Sequence, residues 1–204
     1  MKPDAPLLTL RSILTQPVPP IHWLLQGLAA EQDRAVWYGG FGALKSWIFL
    51  DIILHLAAGK DWLGFCIQRP YRVLYIDEEA NKAILQRRLK RLAIGAGLWS
   101  EPTFTVNPSL LIDSTGTTPT TLLGPDWTEN LRMFSRAGFV MTPSASHDLL
   151  SRLRAERWMP EVIVVESLVR IVQGNENIST DIAEFWRRID PLLNLDRTFW
   201  VSHH

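Results

Sequence analysis

The sequence predicts an α/β fold in which a mainly parallel sheet is covered by helices on both faces. Short apolar runs alternate with longer helical patterns along the chain, and glycine or proline separates them. Two of the runs, RVLYID and VIVV, are almost continuously apolar, which is typical of strands that are buried on both faces. Both runs lead into acidic residues, so polar chemistry is expected at one edge of the sheet.

The first half of the chain has five predicted elements. They are a strand over 35–38, a helix over 46–58, a strand over 72–77, a helix over 81–94 and a strand over 104–107. Gly59 is predicted to end the first helix as its C-cap, because glycine adopts the left-handed conformation at little cost. The second helix is predicted to stop at Gly95. The helix over 46–58 is apolar nearly all round and is therefore expected to be buried.

In the second half, residues 108–125 are rich in Thr, Ser, Gly and Pro and are expected to form a loop. Asp126 and Glu129 resemble a capping box and predict a helix over 126–137. The remaining predicted elements are an extended segment over 138–142, a helix from 146 or 148 to 158, a strand over 162–165, a helix over 181–193 and a strand over 198–202. The strand over 162–165 has the highest strand propensity and is predicted to lie at the centre of the sheet.

The composition is that of a single globular unit. The chain has 204 residues, of which 47% are apolar and 21% are charged. Lys plus Arg and Asp plus Glu each number 21, so the formal net charge is zero and a strongly basic nucleic-acid platform is excluded, although a local basic patch is not. The one cysteine, Cys66, excludes an internal disulfide framework, and with scattered histidines it gives no zinc-site spacing.

The start of the chain, MKPDAPLLTL, lacks the basic residues and unbroken apolar stretch of a secretory signal. The longest apolar run, 47–58, is interrupted by Asp51 and His55 and is well short of the ~20 residues that cross a bilayer. We therefore expect a cytoplasmic protein that does not contact a membrane.

The segment GGFGALKS, residues 39–46, is the candidate phosphate-binding loop. A strand that passes through a glycine-rich turn into a helix presents backbone N–H groups and the helix N terminus to an anion. In the pattern GxxxxGK[ST], the lysine meets the β and γ phosphates and the hydroxyl joins the Mg²⁺ shell, roles that fall to Lys45 and Ser46. The alternative is a glycine-rich turn that only precedes a buried helix. The candidate nucleotide-binding residues are Gly39, Gly40, Phe41, Gly42, Ala43, Leu44, Lys45, Ser46 and Trp47.

Leu44 stands where the pattern has its last glycine. If this position requires a positive φ, leucine costs on the order of 1–2 kcal/mol. Several charge-assisted phosphate contacts, at about 1.5–3 kcal/mol each, outweigh that cost. We therefore expect phosphate binding to survive the substitution.

Two acids at strand ends are the candidate catalytic groups. Glu166 follows VIVV, where a P-loop protein carries the acid that holds Mg²⁺ through water, usually as Asp. Glu79 ends RVLYIDEE and is the candidate general base that activates the attacking water, with Glu78 and Asp77 as its competitors. The alternative for such an acid is a solvated strand end without a catalytic role.

Taken together, five segments resemble the RecA-like P-loop ATPases of the RepA helicase type, the AAA domain proteins found with mobile-element replication functions. The segments are IHWLLQGL, WYGGFGALKSWIFLDIILHLAAGKDWLG, RVLYIDEEANKAILQRRL, PEVIVVESLVRIVQGNEN and FWVSHH. The likeness runs from about residue 21 to residue 204 and is weakest between 108 and 160. It implies a RecA-like core, ATP and Mg²⁺ as cofactors, a ring or filament of identical subunits, and coupling of hydrolysis to single-stranded DNA.

The resemblance also carries roles to individual residues. It implies that Lys45 and Ser46 bind nucleotide and Mg²⁺, that Glu79 activates water, and that Glu166 is the metal-site acid. A histidine at the end of the last core strand senses the γ phosphate in that family, and here it matches His204 or His203.

The resemblance further predicts a lead-in segment over 1–30 and a nucleotide-binding domain over 31–204. RecA-like cores continue past the sensor histidine with further strands and an arginine finger, so it implies a core truncated at the C terminus. A terminal His-His pair is also typical of a purification tag.

Several interpretations stay open on the sequence alone. Leu44 and Glu166 also favour a degenerate ATP-binding regulator or loader without turnover, and a P-loop phosphotransferase is a further alternative. Arg170 is expected either to face a neighbouring subunit or substrate or to form a surface salt bridge. The basic helix over 81–94 either contacts DNA phosphates or is a solvated face; its charges are Lys82, Arg87, Arg88, Lys90 and Arg91.

Overall fold

The computed structural model describes residues 7–40, 42–100, 126–175, 178–193 and 196–203. In chain order the strands are β1 (Trp23–Leu25), β2 (Ala29–Ala30), β3 (Arg34–Tyr38), β4 (Val73–Asp77), β5 (Leu131–Ser135), β6 (Val162–Glu166) and β7 (Thr198–His203). The helices are α1 (Leu10–Thr15), α2 (Lys45–Ala58), α3 (Lys82–Gly95), α4 (Ala145–Ala155), α5 (Leu168–Ile171) and α6 (Ser179–Leu193).

Five strands form one sheet in the order β3-β7-β6-β4-β5, and every neighbouring pair is parallel. The predicted α/β class with a parallel sheet is therefore confirmed. β6 lies third of the five, as its run of β-branched residues predicts. All five residues of β6 and all five of β4 are buried.

Side chains alternate between the two faces of the sheet and build two separate cores. On one face, Tyr75, Val164 and Trp200 pack with apolar residues of α2 and with Leu85 of α3. On the other face, Ile76 and Val165 pack with apolar residues of α4, α5 and α6. Helices therefore cover both faces, which is the arrangement that the RecA-like resemblance implies.

The two predicted helix ends agree with the structure. Gly59 caps α2 with φ 64°, and its N–H reaches the carbonyl groups of His55 and Leu56. A Cβ at this glycine would lie 2.6 Å from the backbone nitrogen of Pro70, so both its conformation and its surroundings require glycine. At the other helix, α3 ends at Gly95.

The predicted helix over 126–137 is wrong. Asp126 caps only one 3₁₀ turn, Trp127–Asn130, by accepting a hydrogen bond from the N–H of Thr128. The chain then continues as β5, which pairs with β4 from Val73↔Leu131 to Asp77↔Ser135. A cap stabilises a helix by about 1 kcal/mol, whereas pairing with β4 satisfies the backbone along a whole strand. The predicted loop over 108–125 and strand over 104–107 lie outside the described residues.

Ahead of the sheet, β1 and β2 form a small antiparallel hairpin. Leu24 and Leu25 of this hairpin are buried in the same core as α2. α1 has no buried residue. In the described ranges, no helix combines the length and apolar character needed to cross a bilayer.

Candidate functional site

The glycine-rich loop connects the end of β3 to the start of α2, as the sequence predicts. Gly42 has φ 79° and Leu44 has φ 59°, so both residues adopt the left-handed conformation. Leu44 is the N-cap of α2 without a side-chain cap, and 63% of it is exposed. The position that carries glycine in the usual pattern therefore requires a positive φ here, and leucine bears the associated cost. Phe41 lies outside the described residues.

Lys45 opens α2 and turns back over the loop. Its Nζ donates hydrogen bonds to the carbonyl oxygen of Gly39 at 2.5 Å and to that of Gly40 at 3.1 Å. The ammonium group is thus placed at the mouth of the glycine-rich turn, next to the N terminus of α2. A cation beside backbone N–H groups at a helix N terminus is suited to bind an anion.

Ser46 and Glu166 are in direct contact. The Ser46 hydroxyl donates a hydrogen bond to one carboxylate oxygen of Glu166, and the Tyr75 hydroxyl donates to the other at 2.5 Å. Only 2% of Glu166 is exposed. Burial raises the pKa of Glu166 above its ordinary value, and the two hydroxyl donors only partly offset this. One buried carboxylate therefore links the start of α2 with β6 and β4.

Asp77 lies beside Glu166 in register, at the end of β4. Its Oδ1 accepts hydrogen bonds from the backbone N–H groups of Glu79 and Ala80 at 2.8 and 2.7 Å. Burial raises the pKa of Asp77, while these two N–H donors act in the opposite direction. The carboxylate of Asp77 organises the turn that leads to Glu79, which separates its role from that of a general base.

Glu78 is also hydrogen-bonded to the backbone of a neighbouring segment. Its carboxylate accepts hydrogen bonds from the backbone N–H groups of Ala137, Gly138 and Phe139 at 3.1, 3.0 and 3.0 Å. It thereby holds the segment that follows β5. Of the two competitors that the sequence left beside Glu79, one organises a turn and the other anchors a loop.

Glu79 is partly buried at the same edge of the sheet. Its Oε1 accepts a hydrogen bond from the Ser167 hydroxyl at 2.7 Å. Its backbone carbonyl accepts a hydrogen bond from Nε of Arg136 at 2.9 Å. Since Ser167 directly follows Glu166, one of the two acids predicted to be catalytic and the hydrogen-bond donor to the other are consecutive residues of the chain.

His203 does not join this group. Strand alternation puts Ser202 on the α2 face with Trp200 and puts His203 on the opposite face with Val201. The His203 ring lies 5.8 Å from the ring of Tyr38, and its Nδ1 is buried without a hydrogen-bond partner among the described residues. His204, the other candidate sensor, lies outside the described residues.

The basic helix α3 places one of its charges on the site. The Arg88 guanidinium carbon lies 5.5 Å from the ring centroid of Trp47, within cation–π range. The positive charge of Arg88 also lowers the pKa of Asp77, against the larger effect of burial. Lys82, Arg87 and Arg91 are exposed.

The oxygen atoms of Ser46 and Glu166, at the edge of the sheet where the parallel strands end, fit a magnesium site. Mg²⁺ prefers oxygen ligands and is bound in proteins through one or two carboxylates together with substrate phosphates. Here a hydroxyl and a carboxylate, from Ser46 and Glu166, meet beside a loop suited to phosphate. The residues present therefore fit a phosphate-bound Mg²⁺.

Sequence reasoning gave no role to Tyr75 and Ser167, which hold the two acids. The signal for Tyr75 is a hydroxyl inside an otherwise apolar strand, because a buried hydroxyl requires a partner. Ser167 carries no comparable local signal. Its partner Glu79 is 88 residues away in the chain.

Comparison with known proteins identifies the family to which the chain belongs. No curated protein matches the chain. The model of the AAA domain family matches residues 3–204, which is nearly the whole chain. The chain therefore belongs to the AAA domain family.

Proposed function

We propose that this protein binds ATP with Mg²⁺ and hydrolyses it. The observation that carries the proposal is the contact between the Ser46 hydroxyl and the Glu166 carboxylate. It brings the end of the glycine-rich loop to the carboxyl end of the central strand, the edge at which open α/β sheets bind ligands. Membership of the AAA domain family supports the same activity.

Each residue has one role in this proposal. Lys45 and the N–H groups of the loop bind the β and γ phosphates, and Ser46 with Glu166 would hold Mg²⁺. When bound, that ion neutralises charge on the phosphates. Glu79 accepts a proton from the attacking water, because it lies at the same edge of the sheet as Glu166 with its Oε1 hydrogen-bonded to Ser167. The carboxylates of Asp77 and Glu78 organise a turn and anchor the 137–139 segment instead.

We also propose that hydrolysis is coupled to single-stranded DNA in an oligomer of identical subunits, as in ATPases of the RepA helicase type. The exposed charges of α3, among them Lys82, Arg87 and Arg91, support a contact with DNA phosphates. A solvated surface is the alternative for this face. In that case DNA would leave turnover unchanged.

The left-handed Leu44 favours a second candidate, an ATP-binding regulator that does not turn over. Leucine with φ 59° costs about 1–2 kcal/mol, and a loop under strain can hold phosphate without the geometry that hydrolysis requires. Such a protein would use ATP to assemble with its partners.

Turnover of Mg·ATP by the wild type and by Glu79→Gln separates these candidates. The ATPase proposal expects Glu79→Gln to bind Mg·ATP as the wild type does and to lose about 100-fold or more in kcat. Addition of single-stranded DNA is expected to raise the wild-type rate. Equal turnover in both proteins would remove Glu79 from the mechanism, and saturable binding without turnover in the wild type would establish the regulator.

A further inference from the structure

Ser167 has a hydroxyl that local structure does not use. It is the N-cap of α5, a position at which serine ordinarily accepts a hydrogen bond from an N–H of the first helical turn. Here the side chain makes no cap hydrogen bond. The residue is fully buried, and its hydroxyl instead donates to Oε1 of Glu79 at 2.7 Å. The reason for serine at this position therefore lies at Glu79 rather than in α5.

The backbone of Glu79 is fixed on both sides of its Cα. Its N–H donates to Oδ1 of Asp77 at 2.8 Å, and its carbonyl oxygen accepts from Nε of Arg136 at 2.9 Å. With the backbone held, the remaining freedom of this residue is the direction of its carboxylate. The Ser167 hydroxyl restricts that direction, because its hydrogen bond to Oε1 favours one of the several rotamers open to a glutamate side chain.

We propose that Ser167 is a positioning residue for Glu79. Its hydrogen bond holds the carboxylate in one direction, so that the oxygen that accepts the proton is oriented before water arrives. Glu166 contacts Ser46, and Ser167, the next residue, contacts Glu79. One chain segment therefore contains the metal-site acid and also orients the base. This inference rests on the proposed ATPase function and names a residue through which it operates.

The test is a double-mutant cycle with Ser167→Ala and Glu79→Gln, followed by kcat and by Mg·ATP affinity from tryptophan fluorescence. Ser167→Ala is expected to lower kcat about 10- to 100-fold while the affinity for Mg·ATP stays within about twofold. In the Glu79→Gln background the same substitution is expected to cause no further loss, because the group that it positions is gone. Ser167→Thr, which keeps a hydroxyl, is expected to retain more turnover than Ser167→Ala.

Ser146→Ala is the matched control. Ser146 is also a buried serine, and its hydroxyl donates to the carbonyl of Arg188 on the far side of the sheet from Ser46. Its substitution is expected to leave kcat unchanged. A thermal melt of each variant verifies that all of them are folded.

The outcomes distinguish failure of the positioning role of Ser167 from failure of the proposed ATPase function. If Glu79→Gln loses turnover while Ser167→Ala keeps the wild-type kcat, Glu79 is the base and the positioning role of Ser167 is refuted. That role is also refuted if Ser167→Ala lowers kcat by an equal factor in both backgrounds. If the wild type has no turnover, or Glu79→Gln retains it, the proposed function fails and this inference fails with it.

Discussion

The hydroxyl of Ser46 donates a hydrogen bond to the carboxylate of Glu166, although 120 positions separate the two residues in the chain. The contact joins the start of α2 to the end of the central strand β6. Glutamate is one methylene longer than the usual aspartate, about 1.5 Å, and its second oxygen accepts from Tyr75. The two groups proposed to hold Mg²⁺ are therefore adjacent in the fold.

Replacement of the adjacent acids Glu78 and Glu79 by glutamine is predicted to affect two different properties, stability for Glu78 and turnover for Glu79. Glu78→Gln replaces a carboxylate that accepts three backbone N–H groups, so we expect the free energy of unfolding to fall by about 1–2 kcal/mol. Residual turnover should remain readily measurable. Glu79→Gln is expected to lose turnover instead. Urea unfolding and steady-state kinetics on the pair test this, and a larger loss of kcat in Glu78→Gln would reverse the assignment.

Leu44→Gly is predicted to stabilise the protein slightly. Relief of a left-handed leucine contributes about 1–2 kcal/mol, and the added freedom of glycine in the unfolded chain offsets roughly 0.5–1 kcal/mol of it. Most of the leucine is exposed, so little packing is lost. Leu44→Ala removes the same side chain without relieving the backbone and is the control. A lower urea midpoint for the glycine variant than for the alanine variant would contradict the strain argument.

Asp77→Asn is predicted to change the pH dependence of stability. Burial raises the pKa of Asp77 in the folded state above its ordinary value of 3.8. Between those two values the folded protein binds more protons than the unfolded chain, so this group makes stability fall as pH rises. Asparagine cannot ionise and its Oδ1 can still accept from the two backbone N–H groups. The unfolding free energy of the variant relative to the wild type should therefore rise with pH from about 3.8 until the raised pKa is passed. A difference that is constant over this range would count against a raised pKa.

The parts of the fold that depend on local pattern could be predicted from the sequence. The continuous apolar character of β4 and β6 identifies them as buried strands, and Gly59 ends α2 as expected. The edge strand β5 could not be predicted in this way, because Asp126 and Glu129 favour a helix start. Its conformation is decided by pairing with β4, which no local pattern reveals.

The residues of the candidate site also divide into those that local pattern predicts and those that depend on strand pairing. Lys45, Ser46, Glu79 and Glu166 occupy a glycine-rich loop and strand ends, which are recognisable along the chain. The contacts of Tyr75 and Ser167 depend on β4 lying beside β6 in the sheet. That strand order cannot be read from one sequence, so the residues that hold the acids emerge only from the fold.

A titration of Mg·ATP into the wild type and Lys45→Ala tests the central claim most directly. Trp37 and Trp47 flank the glycine-rich loop, so intrinsic fluorescence reports on its occupancy. Loss of the Lys45 ammonium should weaken binding at least about tenfold, whereas Lys82→Ala on the exposed start of α3 should not. Saturable binding by the wild type that is lost in Lys45→Ala alone is the predicted result. Equal binding by all three proteins, or none in the wild type when calorimetry is also used, would contradict a nucleotide site at this loop.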